Sequence, residues 1–143
     1  MLKRILSGCA ALVVLSSCTT ADMMTRYDDM ALDVEHSANG TVLIRAFGNG
    51  YTPEQAVVDY AMLKAAEVTL AAGQQCFEVV AQGSQMNDVS MAGQFGPMHF
   101  DKPSARLRIR ILEGATECDS GNADAIVAEL RTKVADVSHY LED

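Results

Sequence analysis

The chain has 143 residues, of which 49% are hydrophobic and 21% are charged, and its formal net charge is −8. This length and composition are typical of a single globular domain with one modest core. The excess of acidic residues disfavours binding to nucleic acid or to anionic lipid headgroups, because both surfaces are themselves negatively charged. We therefore expect no nucleic-acid partner.

The first residues have the layout of a bacterial lipoprotein signal peptide. Lys3 and Arg4 form a basic start, an apolar stretch follows, and the motif Leu-Ser-Ser-Cys ends it at residues 15–18. A charged region, an apolar region of about 7–15 residues and small residues before the cleavage site define a secretory signal. The sequence therefore predicts cleavage between Ser17 and Cys18, with a lipid attached covalently to Cys18.

Two alternatives exist for this N-terminal stretch. Cys9 also follows apolar and small residues, but too few residues precede it to hold both a basic start and an apolar region. A transmembrane helix would need about 20 apolar residues, whereas the apolar run ends at Leu15. Cleavage before Cys18 is the better interpretation. It divides the chain into a signal peptide (1–17), a lipidated flexible tether (18–30) and one domain (31–143).

Cleavage also changes the charge of the mature chain and indicates where it lies. Removing Lys3 and Arg4 from the 11 basic residues, against 19 acidic residues, takes the net charge from −8 to −10. Attachment to a membrane must then come from the lipid on Cys18 and not from a basic patch. Residue 19 is Thr rather than Asp, which is typical of lipoproteins sorted to the outer membrane. We expect a cell-envelope protein that faces the periplasm.

The remaining cysteines fit an oxidising compartment. Once Cys9 is removed and Cys18 is lipidated, Cys76 and Cys118 are left as a pair. Cysteine pairs outside the cytoplasm tend to form disulfides where the geometry allows. The sequence predicts a Cys76–Cys118 disulfide, and the alternative is two separate buried thiols.

The first half of the domain gives the clearest structural signals. An Asn-Gly turn at residues 39–40 between two β-branched, apolar runs predicts a β-hairpin. Thr52 and Gln55 predict a capping box that starts a helix, and Gly73 is a suitable residue just past its end. A strand is predicted over residues 76–80. The apolar spacing predicts a buried helical stripe made of Val58, Ala61, Met62, Ala65, Val68 and Ala72.

The second half begins with a segment that lacks periodicity. Residues 82–103 contain several Gly and Pro residues and predict a long loop. Residues 105–113 alternate and predict a strand, and a second helix is predicted over residues 123–140. The order β-β-α-β-β-α predicts an α+β fold, in which two helices pack on one face of a small, mainly antiparallel sheet.

Three short motifs accompany the lipoprotein signal. Gly-Asn-Gly ends a predicted strand at residues 48–50, Ala-Ala-Glu-Val-Thr-Leu occupies residues 65–70, and Phe-Glu-Val-Val occupies residues 77–80. In this combination the chain resembles a family of small bacterial lipoproteins of unknown function. A looser likeness is to the Rcs-type outer-membrane stress-sensor lipoproteins, which join a lipid anchor to a small disulfide-bearing α/β domain. The chain lacks their four paired cysteines, so that likeness implies no site residue.

One candidate binding site is a row of cations. Arg106, Arg108 and Arg110 alternate along a predicted strand, so they share one face at intervals of about 6.5–7 Å. The row could contact an anion such as a cell-wall carboxylate or a lipid phosphate. Pairing with acidic residues of a neighbouring strand, such as Glu78, is the alternative that we favour.

A second candidate is the soft-ligand set Met86, Met91, Met98 and His99. Thioether and imidazole groups suit Cu(I), but the spacing of these residues is irregular. Methionines in such a segment also serve to cover a sheet edge or a partner surface. Copper binding by this set is therefore the weaker alternative.

The sequence contains no motif for nucleophilic catalysis, phosphate binding or metal-dependent hydrolysis. We expect no catalytic residue, no cofactor and no enzymatic activity. The sequence predicts a lipid-anchored envelope lipoprotein that acts through contacts with an envelope protein or the cell wall, and periplasmic copper binding is the alternative function.

Overall fold

Residues 23–142 are described by a computed structural model of the chain. They form a five-stranded antiparallel sheet and two helices, which confirms the predicted α+β fold. The predicted signal peptide, the cleavage site and the lipidated Cys18 lie outside the described residues.

The strands follow the predicted order, with one short strand added. They are β1 (Ala31–His36), β2 (Thr41–Phe47), β3 (Cys76–Gly93), β4 (Gly96–Leu112) and β5 (Gly121–Asn122). The helices are α1 (Glu54–Ala71) and α2 (Ala123–Ala135), and short 3₁₀ helices occupy Tyr27–Asp29 and Val137–Tyr140. The order of strands in the sheet is β1-β2-β4-β3-β5. Neither helix in the described part of the chain is long and apolar enough to cross a membrane.

The core lies between one face of the sheet and α1. The alternating residues Val42, Ile44 and Ala46 of β2 are buried, as are Ala105, Leu107 and Ile109 of β4. Helix α1 covers this inner face and presents mainly small side chains to it. Alanine at the contact lets the helix axis approach the sheet closely. The opposite, outer face of the sheet carries the remaining residues of the strands.

The two predicted chain reversals at Gly40 and Gly73, which need a glycine with positive φ, are both present. Gly40 has φ +80° in the β1–β2 turn, where the Asn39 side chain accepts a hydrogen bond from the Thr41 N–H. Gly73 has φ +74° directly after the last turn of α1. These local signals predict their turns correctly because glycine adopts a positive φ at little cost.

The predicted capping box at the start of α1 is wrong. Pro53 occupies the N-cap position, and no side chain caps the first turn of the helix. The Thr52 hydroxyl is buried and instead donates to Asn49 Oδ1 and accepts from the Thr25 N–H. Gln55 donates to Asp59 rather than to the backbone. Thr52 therefore ties the chain before α1 to an earlier segment.

The predicted buried stripe of α1 is only partly correct. Ala61 and Ala65 are buried, but Val58, Met62 and Val68 are half-buried and Ala72 is exposed. The buried residues of α1 are Ala56, Val57, Asp59, Tyr60, Ala61, Leu63, Ala65, Ala66 and Thr69. A single stripe is typical of a helix with one covered side. Here the sheet, α2 and the N-terminal segment cover α1 from several directions.

The predicted loop over residues 82–103 is wrong, because β3 and β4 continue through it as one long hairpin. Their register runs without interruption from Met86–Pro103 to Gly93–Gly96, beyond a bulge at Val79–Ala81. Most side chains in this region are exposed on both faces. The apolar alternation that reveals a half-buried strand is therefore missing, although the backbone ladder is complete.

Part of this hairpin extends beyond the rest of the sheet. Strand β2 pairs only with the Ser104–Arg110 part of β4. We call residues 86–103 the hairpin arm. Its paired strands span about 24 Å at the usual rise per residue. The arm projects from the end of the sheet at which β2 finishes with Phe47.

The second half of the predicted tether packs against the domain. Met24 and Met30 are buried, and the Thr25 carbonyl accepts a hydrogen bond from the Tyr60 hydroxyl at 3.2 Å. The rings of Tyr27 and Tyr60 meet edge to face at 5.6 Å. The domain thus begins by residue 23, earlier than the predicted boundary at residue 31. The apolar residues of this short segment close one end of the core.

The second helix begins as predicted and ends earlier. Asn122 is the N-cap, and its side chain accepts from the Ala125 N–H at 3.0 Å. The α-helix ends at Ala135, and the remainder of the predicted helix is the 3₁₀ helix Val137–Tyr140. The apolar spacing of this segment predicts a buried stripe of Ile126, Leu130, Val134 and Val137; the last three are buried and Ile126 is half-buried.

We predict that Gly121→Ala destabilises the domain by at least about 2 kcal/mol, because a side chain at this position has no space. A Cβ at Gly121 would lie 1.9 Å from the Phe77 carbonyl oxygen, which belongs to the backbone of β3. Chemical denaturation of the two proteins measures the difference in the free energy of unfolding.

Gly83→Ala is the matched control, because nothing lies within 4 Å of a Cβ at that strand position. It should change the free energy of unfolding by less than about 0.5 kcal/mol. Equal effects of the two substitutions would contradict the close approach of β5 to β3.

Candidate functional site

The Cys76–Cys118 pair lies at the opposite end of the sheet from the hairpin arm. The two cysteines form the predicted disulfide, with their Cα atoms 5.3 Å apart. Cys76 is fully buried at the first residue of β3, and Cys118 lies in the loop before β5. The bond thus joins the loop that leads to α2 to the central part of the sheet.

The arginine row lies on the outer face of the sheet, as its alternation predicts. Arg110 forms an ion pair with Glu78 of β3. Pairing with an acidic residue of a neighbouring strand, the alternative that we favour, is therefore confirmed for Arg110. Among the described residues, no carboxylate lies within ion-pairing distance of Arg106 or Arg108. Arg45 lies opposite Arg106, but its guanidinium binds Glu35 at 2.8 Å and also Asp33.

Arg106 and Arg108 border a shallow depression on the outer face. Its volume is about 290 Å³, and Leu43, Ala81 and Gly83 form much of its floor. Two cations beside an apolar floor can attract a carboxylate or a phosphate group. Because both guanidinium groups are in water, such a contact is weak and depends on the salt concentration.

The proposed soft-ligand residues all lie on the hairpin arm, but they do not converge. Met91 and Met98 are direct cross-strand partners, so their side chains share one face. His99 follows Met98 and therefore points to the opposite face, where Met86 lies further along the arm. His99 Nδ1 is 3.2 Å from Asp88 Oδ1 instead. In the described residues no group of three or more His, Cys, Asp or Glu side chains is placed to hold a metal ion.

The arm carries four of the ten exposed large apolar side chains of the described residues, including the two most exposed, Phe95 and Met91. Phe95 at its turn is 99% exposed, and Met91 and Met98 beside it are 56% and 52% exposed. Residues 89–98 include no charged side chain. Exposed apolar side chains gathered in one place mark a site of contact with a protein or a membrane.

An apolar hollow lies where the arm meets the N-terminal segment. Its volume is about 550 Å³, and it is lined by Met23, Tyr51, Met91, Phe100 and other residues. Asn49 holds this junction together, because its side-chain amide donates to the Met23 carbonyl at 2.8 Å. The loop after β2 thus brings the first described residue of the chain to the side of the arm.

A second groove lies between the two helices. It has a volume of about 350 Å³ and is lined mainly by apolar side chains of α1, β3 and α2, among them Met62, Phe77 and Ile126. Its walls carry Asp59 and Glu129. Ser120 also lines the groove, whose mainly apolar walls can bind an apolar group.

Asp59 is a buried carboxylate that the apolar pattern places on the exposed side of α1. It is 8% exposed and accepts from the Tyr140 hydroxyl at 2.8 Å. Lys133 of α2 lies 2.6 Å from the same carboxylate oxygen, and Gln55 donates to the other oxygen. Asp59 therefore joins α1 to α2 and to the C-terminal 3₁₀ helix. Its partners Tyr140 and Lys133 are far away in sequence, so no local signal could identify its burial.

Glu67 plays a similar role on the next turns of α1. Its carboxylate accepts from the Tyr27 hydroxyl at 2.6 Å and pairs with Arg131 of α2 at 3.0 Å. Burial, assisted by this hydrogen bond, raises the pKa of Tyr27 well above its ordinary value. Burial and the hydrogen bond to Asp59 raise the pKa of Tyr140 in the same way. Both clusters are fully satisfied and join structural elements, so they stabilise the fold.

Comparison with known proteins adds no relative. No protein-family model, no curated protein and no solved structure matches this chain. The resemblance to small bacterial lipoproteins therefore remains a prediction.

We predict that the domain loses stability as the pH rises above about 10, the ordinary pKa of tyrosine. In the unfolded chain Tyr27 and Tyr140 ionise there, whereas the folded state keeps both protonated. Each tyrosine then contributes a slope of up to about 1.4 kcal/mol per pH unit, which is absent below that pH. Urea denaturation between pH 8 and pH 11 measures this slope.

The double variant Tyr27→Phe/Tyr140→Phe is the control, because it removes both ionising groups and leaves the lysines unchanged. It should be less stable at neutral pH, through the loss of two hydrogen bonds to carboxylates, and its stability should vary less with alkaline pH. The same alkaline slope in both proteins would contradict the assignment of the two tyrosines.

Proposed function

We propose that the protein is a cell-envelope lipoprotein, held at the outer membrane by a lipid on Cys18 and facing the periplasm. It acts through contacts with an envelope protein, the cell wall or a lipid surface and catalyses no reaction. The Leu-Ser-Ser-Cys motif after a basic and apolar start supports the anchor. The Cys76–Cys118 disulfide is the observation that carries the proposal, since such bonds persist in oxidising compartments.

The distribution of surface groups supports a role in contacts. The polar clusters around Asp59 and Glu67 hold the helices together. Four exposed apolar side chains, including the two most exposed in the described residues, lie on the arm, and two arginines on the outer face have no acidic partner among the described residues. We do not propose a copper site, because alternation along the arm separates His99 from Met91 and Met98.

We predict that Cys18→Ala abolishes processing of the precursor. The lipoprotein signal peptidase cuts only a precursor whose cysteine has received lipid, so this variant should keep its full length and carry no acyl chains. An inhibitor of that peptidase should leave the unaltered chain at precursor length. Mass spectrometry of the protein from membranes measures both the length and the lipid.

Cys9→Ala is the matched control and should be cleaved and lipidated normally, because Cys9 lies inside the predicted signal. Normal processing of the Cys18→Ala variant would contradict lipidation of Cys18. Loss of processing in the Cys9→Ala variant would indicate that Cys9 is the lipidated residue.

We also predict that Cys76 and Cys118 of the exported protein react with a thiol reagent only after reduction. Thiol labelling under denaturing conditions, with and without a reductant, counts the reactive groups. Reduction should lower the free energy of unfolding by about 3–4 kcal/mol, because it frees a loop of 42 residues in the unfolded chain. Two reactive thiols without reductant would contradict the oxidising compartment.

A further inference from the structure

The first described residue, Met23, and the hairpin arm lie at the same end of the domain. Cys18 is five residues before Met23, and five extended residues reach at most about 18 Å. Met24 is buried and the Thr25 N–H binds the Thr52 hydroxyl. The packed segment therefore leaves no long tether, and a lipid on Cys18 would hold this end of the domain close to the membrane.

The geometry of the sheet directs the arm to that end. Gly48, just after β2, donates its N–H to the Pro103 carbonyl at the base of the arm at 2.9 Å. Met23 and Met91 line the same hollow, so the chain leaves the domain beside the outer part of the arm. The β1–β2 turn and the disulfide lie at the other end of the sheet and point away from the anchor.

The chemistry of the arm's outer part suits a lipid interface. We call residues 89–98 the tip. The tip lacks charge, whereas the domain as a whole is strongly acidic. Phe95, Met91 and Met98 offer apolar groups to the surroundings, and Tyr51 and Lys102 border the hollow behind them. Aromatic and lysine side chains behind an apolar edge are typical of proteins that lie in the headgroup region.

A membrane fits the arm better than a protein groove or a second copy of the chain. A partner in solution could approach the tip from any direction, but a lipid on Cys18 places a membrane beside it at all times. The acyl chains on Cys18 would hold the protein durably by themselves. What a second contact at the tip adds is a fixed orientation of the domain. The acidic parts of the surface would be repelled by anionic lipids, whereas the uncharged tip can enter the interface without that cost.

We propose that the tip inserts into the interface of the membrane that holds Cys18, as a second attachment that fixes the orientation of the domain. This inference rests on the lipid anchor of the proposed function. The outer face with Arg106 and Arg108 is then held at a constant angle to the membrane and remains accessible from the periplasm.

A single-tryptophan variant tests the insertion directly, because the chain contains no Trp. The chain from Cys18 onward retains every described residue, and Cys18 is its one thiol outside the disulfide. In the Phe95→Trp variant, this thiol is coupled to a maleimide phospholipid in phosphatidylcholine vesicles. Fluorescence is then compared between vesicles with plain acyl chains and vesicles with brominated acyl chains, because bromine quenches Trp only at short range.

The control is Ala38→Trp, an exposed site in the β1–β2 turn at the far end of the sheet. We expect the brominated vesicles to quench the Phe95→Trp variant on the order of two-fold, because an aromatic ring at the tip would lie in the interface. The control should be quenched much less. Adding Met91→Asp to the Phe95→Trp variant should reduce the quenching to the control level.

Equal quenching at positions 95 and 38 would overturn the proposal, as would an unshifted emission spectrum combined with dimerisation through the tip in sedimentation. Chemical coupling supplies the anchor in this experiment. Its result therefore does not depend on whether cells process Cys18. A tip that does not insert would overturn this inference and leave the lipoprotein assignment unaffected.

Discussion

Close contact between α1 and the inner face of the sheet is the interaction on which the rest of the structure depends. Ala56, Ala61, Ala65 and Ala66 are fully buried or nearly so and let the helix lie against the sheet. The sides of α1 that the sheet leaves uncovered are occupied by α2 and by the N-terminal segment. Two carboxylates on α1, Asp59 and Glu67, hold these neighbours by hydrogen bonds and ion pairs. Polar contacts whose members are all satisfied favour one arrangement of the packed elements.

The sequence predicts those parts of the fold that depend on neighbouring residues. The Asn39–Gly40 turn, the end of α1 at Gly73 and the start of α2 at residue 123 are all predicted correctly, because each depends on the conformational or hydrogen-bonding preference of one residue. The role of Thr52 is predicted wrongly because its hydroxyl accepts a hydrogen bond from Thr25, 27 residues earlier. The burial of Asp59 is not predicted because its partner Tyr140 is 81 residues away. The strands of the arm are not predicted because both faces of the arm are exposed, so the sequence there has no alternating apolar pattern.

The same reasoning accounts for what could be foreseen of the candidate sites. The disulfide follows from cysteine count and compartment, and the arginine row follows from alternation, although only Arg110 pairs with Glu78. The methionines of the arm carry no period that would place them on paired strands. The structure places them on the paired strands of the arm, where they form an exposed apolar edge and not a set of metal ligands. We propose a role for that edge because the packed N-terminal segment would bring a lipid on Cys18 to its side.

The account depends most on residues 23–30 being part of the folded domain, since this is what would bring the proposed lipid on Cys18 close to the arm. Amide hydrogen exchange of the chain from Cys18 onward, followed residue by residue by NMR, tests it most directly. We expect the Thr25 amide, which donates to the Thr52 hydroxyl, to exchange far more slowly than in an unfolded peptide. Exchange of Thr25 at the rate of an unfolded peptide, while the amides of α1 remain protected, would contradict the account.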